Sequence, residues 1–258
     1  INSKSMKKVD PITVEVIRNS FASIAKQMNQ NLARSAYTPI IYEMKDCSVG
    51  IFDRGINLVG QSSGLPVFLG TLGPAVKAVV DSFENEIKEG DVYIINDSYI
   101  VGSHLNDMTV LSPIFFKKKL IGYGATKAHW MDIGAKSPSS ATDSTEIYQE
   151  GYRLGPTRIF KEGEPEKNII DFLMRNSRLP KSIWGDLQAQ IAACRTGEIE
   201  MKKLFEKFGT KTIDSACREI FRQNEIAERN AVSKMKDGSW ISHGSLDSWG
   251  PGGDPVKV

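Results

Sequence analysis

Apolar positions recur at two spacings along the chain, and each spacing predicts a kind of element. Between residues 11 and 36, Val14, Ile17, Phe21, Ile24, Ala25, Met28 and Leu32 fall three or four apart. Asp10 supplies an N-cap there and Pro11 a first helical position, so one long helix is expected, ending before Pro39. Residues 47–52 read as a strand, Asp53-Arg54-Gly55 as a turn, and residues 57–61 as the returning partner. A second helix is expected over 73–83, then a short apolar strand over 92–95 that runs into Asn96-Asp97.

A polar loop over 98–106 leads to the strand-like run 108–116, and residues 120–128 return. Lys117, Lys118 and Lys119 lie between the two runs and read as a solvated hairpin tip. From Trp130 to Thr145 the apolar period dissolves into Gly, Pro and Ser. A loop of that length predicts a lid or border to a site. Helical patterns follow over 169–174, 182–196, 198–208 and 214–236. The end holds a turn at Asp237-Gly238-Ser239 leading into a strand at Trp240, a glycine-rich stretch over 250–255, and a strand opening at 256–258.

Strands come first and helices second, an α+β order. The expected divisions are a mixed α/β metal-binding region over 10–165, a helical subdomain over 166–236, and the start of a further β region over 237–258. The chain stops as that last strand opens, so the strand is expected to be cut short there.

Charge and cysteine content narrow the class. Thirty-three Lys and Arg against 31 Asp and Glu leave a formal charge of +2, which argues against nucleic acid as a partner. Cys47, Cys194 and Cys217 are scattered without metal-site spacing, which fits a reducing cytoplasm. No run of 18 apolar residues occurs, so no membrane span is expected.

Two of the three histidines stand where strands end. His104 and Asp107, three residues apart in GSHLND, fall on one side of a turn and can share a cation. Asp107 and His129 are equidistant from residue 118, so a hairpin centred there sets them side by side. Two imidazoles with carboxylate suit Zn²⁺, Mn²⁺ or Fe²⁺ rather than an oxygen-only cation. The same spacing also fits a plain His–Asp hydrogen bond. Asp46, just before a strand, is a possible extra ligand, although Glu43-Met44-Lys45-Asp46 also reads as a solvated charged face. His243 has no partner visible by spacing. There is no Gly-x-Ser-x-Gly elbow and no Gly-x-x-x-x-Gly-Lys-Ser/Thr nucleotide loop.

At these residues the chain resembles the hydantoinase B/oxoprolinase family. The matching stretches are YEMKDCSVGIF (42–52), LVGQ (58–61), PVFLG (66–70), GDVYIINDSYIVGSHLNDMTV (90–110), HWMDIG (129–134), NSRLP (176–180) and GDLQAQIAA (185–193). The resemblance implies one divalent transition metal held by Asp46, His104, Asp107 and His129. It also implies a hetero-oligomer in which a hydantoinase A-type subunit uses ATP to phosphorylate the carbonyl of a lactam or hydantoin. This chain would then activate water for attack, with Glu43 and Asp132 as candidate catalytic carboxylates. Two other family roles are open: a subunit of an acetone- or acetophenone-type carboxylase acting on a ketone, and an inactive or structural partner subunit. Phe68 stands where many relatives carry histidine, Ser98 and Asn106 replace common prolines, and Ala135-Lys136 interrupts a glycine-rich continuation.

Overall fold

The computed structural model describes residues 9–139, 143–246 and 254–257. Helix α1 (Pro11–Ser35) begins where the sequence predicts: the Asp10 carboxylate accepts from the Thr13 amide at 3.0 Å, and all seven periodic apolar residues are buried. A single turn, α2 (Pro39–Tyr42), follows outside the expected elements, being too short to show a period. Strands β1 (Cys47–Asp53) and β2 (Leu58–Gln61) form the expected hairpin.

Helix α3 (Pro66–Phe83) starts seven residues before the expected Gly73, with Pro66 in its first turn and Pro74 inside it. Next come β3 (Val92–Ile95), the four-residue helix α4 (Ser98–Val101) inside the expected loop, and the long strands β4 (Asp107–Phe116) and β5 (Lys119–His129). An edge hairpin, β6 (Thr157–Lys161) with β7 (Glu164–Pro165), is a further addition to the expected elements. The helical part comprises α5 (Lys167–Arg175), α6 (Pro180–Phe208) and α7 (Thr210–Val232). In place of the two helices expected over 182–208, α6 is continuous. Gly197 lies inside it because Met28 of α1 packs there: an added Cβ would fall 2.6 Å from the Met28 sulfur.

The seven strands form one sheet in the order β2-β1-β5-β4-β3-β6-β7, every neighbouring pair antiparallel. Alternation divides its side chains between two faces. Val49, Ile51, Val110 and Ala128 face α1, α5, α6 and α7, within two adjoining cores that include Phe21, Met28, Ile191 and Met201. Phe52, Leu111, Tyr123 and Ala125 face α3. The architecture is therefore a mixed α+β sandwich, sheet-rich first and helical afterwards.

Beyond α7, residues 236–244 are irregular, and a small pair forms between β8 (Ser245–Leu246) and β9 (Val256–Lys257). The strand expected at Trp240 is absent, and most of the glycine-rich stretch lies outside the described residues. The segment read as a lid is anchored over 130–139. Trp130, Ile133 and Ala135 are buried, and the Trp130 indole donates to Gln190 at 2.8 Å. Its aperiodic sequence conceals these contacts, and residues 140–142 lie outside the described residues.

Candidate metal centre

The site lies at one end of three adjacent strands, on the α3 face. Asp107, first in β4, is paired with His129, last in β5. The register predicted from sequence is thus present, but by a different route. The tip is a two-residue turn at Lys117 and Lys118, with φ of 51° and 62°, and Phe116 pairs with Lys119. Both residues have the positive φ that a type I′ turn requires. Continued regularly, that turn would pair Asp107 with Ala128 and leave His129 on the opposite face. A bulge prevents this: Phe115 pairs with Leu120 but Ile114 with Gly122, so Ile121 is the extra residue. One inserted residue brings Asp107 and His129 to the same face.

His104 arrives from the turn between α4 and β4. Its Nε2 lies 2.9 Å from Asp107 Oδ1 and 3.1 Å from His129 Nδ1, and that His129 nitrogen is 3.1 Å from the same carboxylate oxygen. Three potential donors thus form a nearly equilateral triangle. A tetrahedral zinc with bonds of about 2.0–2.1 Å has donor–donor edges of about 3.3 Å, so the triangle is close to one face of such a site. Asp107 and His129 are buried, whereas the His104 side chain is 40% exposed, the accessible corner.

Asp46 flanks His129 from β1's side, where its carbonyl accepts from the His129 amide at 3.1 Å. Its carboxylate lies outside the tight span of the other three but senses the charges of His129, Asp107 and His104. One oxygen, Oδ1, is buried with no hydrogen-bond partner among the described residues, as is His129 Nε2. Such orphaned polar atoms are costly unless another group meets them. The donor set, two nitrogens and up to two carboxylates, fits a divalent transition metal.

The clustered charges move the titration of these groups in different directions. Burial works to raise the Asp107 carboxyl, but hydrogen bonds from His104 and His129 outweigh it and hold the group at about 2. The hydrogen bond to Asp107 raises the pKa of His104 against the opposing effect of burial. Burial, with the Asp107 charge adding to it, raises that of Asp46.

The two proposed catalytic carboxylates lie apart from the triangle. Glu43 is exposed at the end of α2. Asp132 is fully buried and committed elsewhere. Its Oδ1 accepts from Arg178 Nη1 at 2.8 Å and the Gly134 amide at 3.3 Å, and its Oδ2 from the Ser177 hydroxyl and the Arg178 amide. Asp132 therefore ties the loop after β5 to the connection between α5 and α6.

Sequence reading missed two residues here. Asn106, noted only as a replaced proline, donates its side-chain amide to the Trp130 carbonyl at 2.7 Å, while its own carbonyl accepts the Trp130 amide. Lys127 is wholly buried on the site's face of β5, and burial lowers its ammonium to about 8 while the Asp107 charge opposes that shift. A lysine two residues before His129, the one charged residue of the run 120–128, was the available signal. All three cysteines are free and buried, and among the described residues no helix is long and apolar enough to cross a membrane.

Known proteins share this arrangement of chain and fold. The chain is 34% identical to the B-type component of a provisionally named D-/L-hydantoinase of Pseudomonas sp. (strain NS671), over 98% of this chain and 44% of that protein. It is 32% identical to the beta component of the caprolactamase of Pseudomonas jessenii, over 90% of this chain and 40% of the relative. It thus spans less than half the length of either. The crystal structure of the ATP-dependent caprolactamase from that organism superimposes with a TM-score of 0.84 at 31% identity, covering 93% of this chain and 42% of the other. An acetone carboxylase structure shares the fold, with a TM-score of 0.74 at 19% identity, over 83% of this chain and 29% of the other. The family model described as Hydantoinase B/oxoprolinase matches residues 10–258, and the chain belongs to that family.

Proposed function

We propose that this chain is the metal-binding part of the catalytic subunit of an ATP-dependent cyclic amidohydrolase, with Asp46, His104, Asp107 and His129 as the ligands of one divalent transition metal. The observation that carries the reading is the triangle of His104, Asp107 and His129 donor atoms beside the orphaned Asp46 oxygen. Zn²⁺ suits two nitrogens and carboxylate best, with Mn²⁺ and Fe²⁺ as alternatives. Such a cation would supply Lewis-acid chemistry, lowering the pKa of water so that it can attack a carbonyl.

The chain's own residues have distinct tasks in this reading. His129 and Asp107, set by strand register, form the rigid side of the site, and exposed His104 forms the side open to substrate. Asp46 and Asp107 offset the cation's charge. Asp132 holds the adjoining loop in place, which leaves Glu43 as the carboxylate for proton handling. Lactams and hydantoins resist hydrolysis because nitrogen donates into the carbonyl. An ATP-binding partner of the hydantoinase A type would phosphorylate the carbonyl oxygen, releasing ADP and making the carbon electrophilic; water then adds, the C–N bond breaks as nitrogen takes a proton, and a second water releases the phosphoryl group as inorganic phosphate. Identity above 30% to hydantoinase and caprolactamase subunits favours this branch over the ketone carboxylase, whose likeness here is one of fold.

Two measurements test the proposal. Elemental analysis should find about one divalent ion per wild-type chain and almost none in the His104→Ala, Asp107→Ala double variant; equal contents would sink the metal assignment. The complete subunit, combined with an A-type partner, should open caprolactam, hydantoin or 5-oxoproline only with ATP and without bicarbonate. Bicarbonate-dependent carboxylation of a ketone would move the protein to the other branch.

A further inference from the structure

Register secures Asp107 and His129 to the sheet, but His104 stands on irregular backbone, and something must hold that backbone in place. Helix α4 ends at Gly102 with φ of 54°, followed by Ser103 with φ of 85°. Two successive residues at positive φ, one of them not glycine, form a strained approach to His104. The buried side chain of Lys127 reaches this turn from β5. Its Nζ lies 3.4 Å from the Val101 carbonyl, 3.3 Å from the Gly102 carbonyl and 3.1 Å from Ser103 Oγ. It also donates to Thr71 Oγ1 of α3 at 2.7 Å and lies 5.6 Å from the centre of the Phe68 ring.

We propose that Lys127 is a positioning residue that locks the 101–103 turn and thereby holds His104 over the metal triangle. An ammonium is suited to the task because its three protons can engage several acceptors converging from different directions, which no neutral side chain of that reach supplies. Asn96 secures the far side of the loop by donating to the Leu105 carbonyl at 2.7 Å, so His104 is held between two clamps. The Lys127 clamp engages the strained side. Buried lysine is otherwise a poor stabiliser of a fold, because taking the charge out of water is costly and an apolar isostere often serves stability as well or better. Its presence on this face, two residues from His129, therefore points to geometry rather than to stability. The effect on metal affinity rests on the metal reading above, whereas the effect on the turn does not.

The experiment compares wild type, Lys127→Met and Lys127→Arg by hydrogen exchange, thermal unfolding and zinc titration against a chromophoric chelator. In Lys127→Met, the amides of residues 102–105 should exchange faster while the rest of the sheet keeps its protection. Its unfolding midpoint should stay level or rise, and Zn²⁺ should bind about 10–100-fold more weakly, as for other groups that orient metal ligands. Lys127→Arg should restore the protection and much of the affinity. Thr71→Val, which removes the shortest contact to Nζ, should act in the same direction more mildly, and it decides the matter if Lys127→Met does not fold. Unchanged exchange at 102–105, or uniform destabilisation that arginine does not rescue, would overturn the positioning role. If the wild type itself takes up no zinc, the metal reading fails, and exchange at 102–105 alone decides the role of Lys127.

Discussion

The β4–β5 hairpin has two ends built to different specifications. At its closed end, Lys117 and Lys118 turn the chain in water, and the Lys117–Glu206 ion pair beside them is exposed on both sides. Such a pair contributes little to stability, and the side chains there can be exchanged freely. At the open end, Asp107 and His129 are buried, and among the described residues the Asp46 oxygen, His129 Nε2 and Thr109 Oγ1, the next pair inward on the same face, find no hydrogen-bond partner. Two carboxylates and two imidazoles crowd a space that apolar residues would fill more cheaply. The contrast is one of burial: the positive-φ residues of the tip stand in water, whereas at the open end buried polar atoms lie beside the positive-φ turn at Gly102-Ser103. The bulge at Ile121 links the two ends, because a residue added near the tip decides which face His129 occupies at the other.

That link offers the most severe way to break the comparison. Inserting one alanine between Gly122 and Tyr123 shifts the rest of β5 by one place, pairs Asp107 with Ala128 and turns His129 away, so metal content should fall from about one ion per chain to almost none. Retention of the ion by a folded insertion variant would show that the site does not depend on this register. Next in size is Asp132→Ala, which leaves Arg178 and the Ser177-Arg178 backbone without their shared acceptor. A fall of about 2–3 kcal/mol in stability by denaturant titration is expected, tempered by the half exposure of Arg178, with metal content retained. Lost activity at unchanged stability would instead place Asp132 in the chemistry.

The closed end should respond in the opposite direction. Changing Lys117→Asn together with Lys118→Gly gives the positive-φ turn its preferred residues and should stabilise by about 0.5–1 kcal/mol without altering the metal content. A loss of metal would show that the tip and the site are coupled through more than register. The smallest effect on the fold is expected from Glu43→Gln, within about 0.5 kcal/mol in thermal unfolding and with the ion retained. Turnover in the reconstituted enzyme then reports proton handling, and an unchanged rate removes Glu43 from the chemistry.

Much of this molecule can be read from residue order alone, because the interactions concerned are local. The apolar period of α1, its Asp10 cap, the β1–β2 hairpin and the long β4–β5 hairpin depend on residues near one another in the chain. The three-residue spacing of His104 and Asp107 is local in the same sense. Tertiary structure decided what depends on distant partners. The glycine at 197 inside α6 makes sense only with Met28 of α1 packed against it, and Asp132 was claimed by Arg178, 46 residues away. Asp46 comes beside His129 only because β1 adds to the far edge of β5. The facing of Asp107 and His129 was legible, but a tip three residues wide is the simplest way to read it, and the molecule reaches the same register with two and a bulge. A bulge leaves no period in the sequence, since one extra residue is settled by how both strands pack against the layers above and below them. Lys127 marks the same boundary: its charge is plain in the sequence, but only the converging carbonyls of the 101–103 turn give that charge a task.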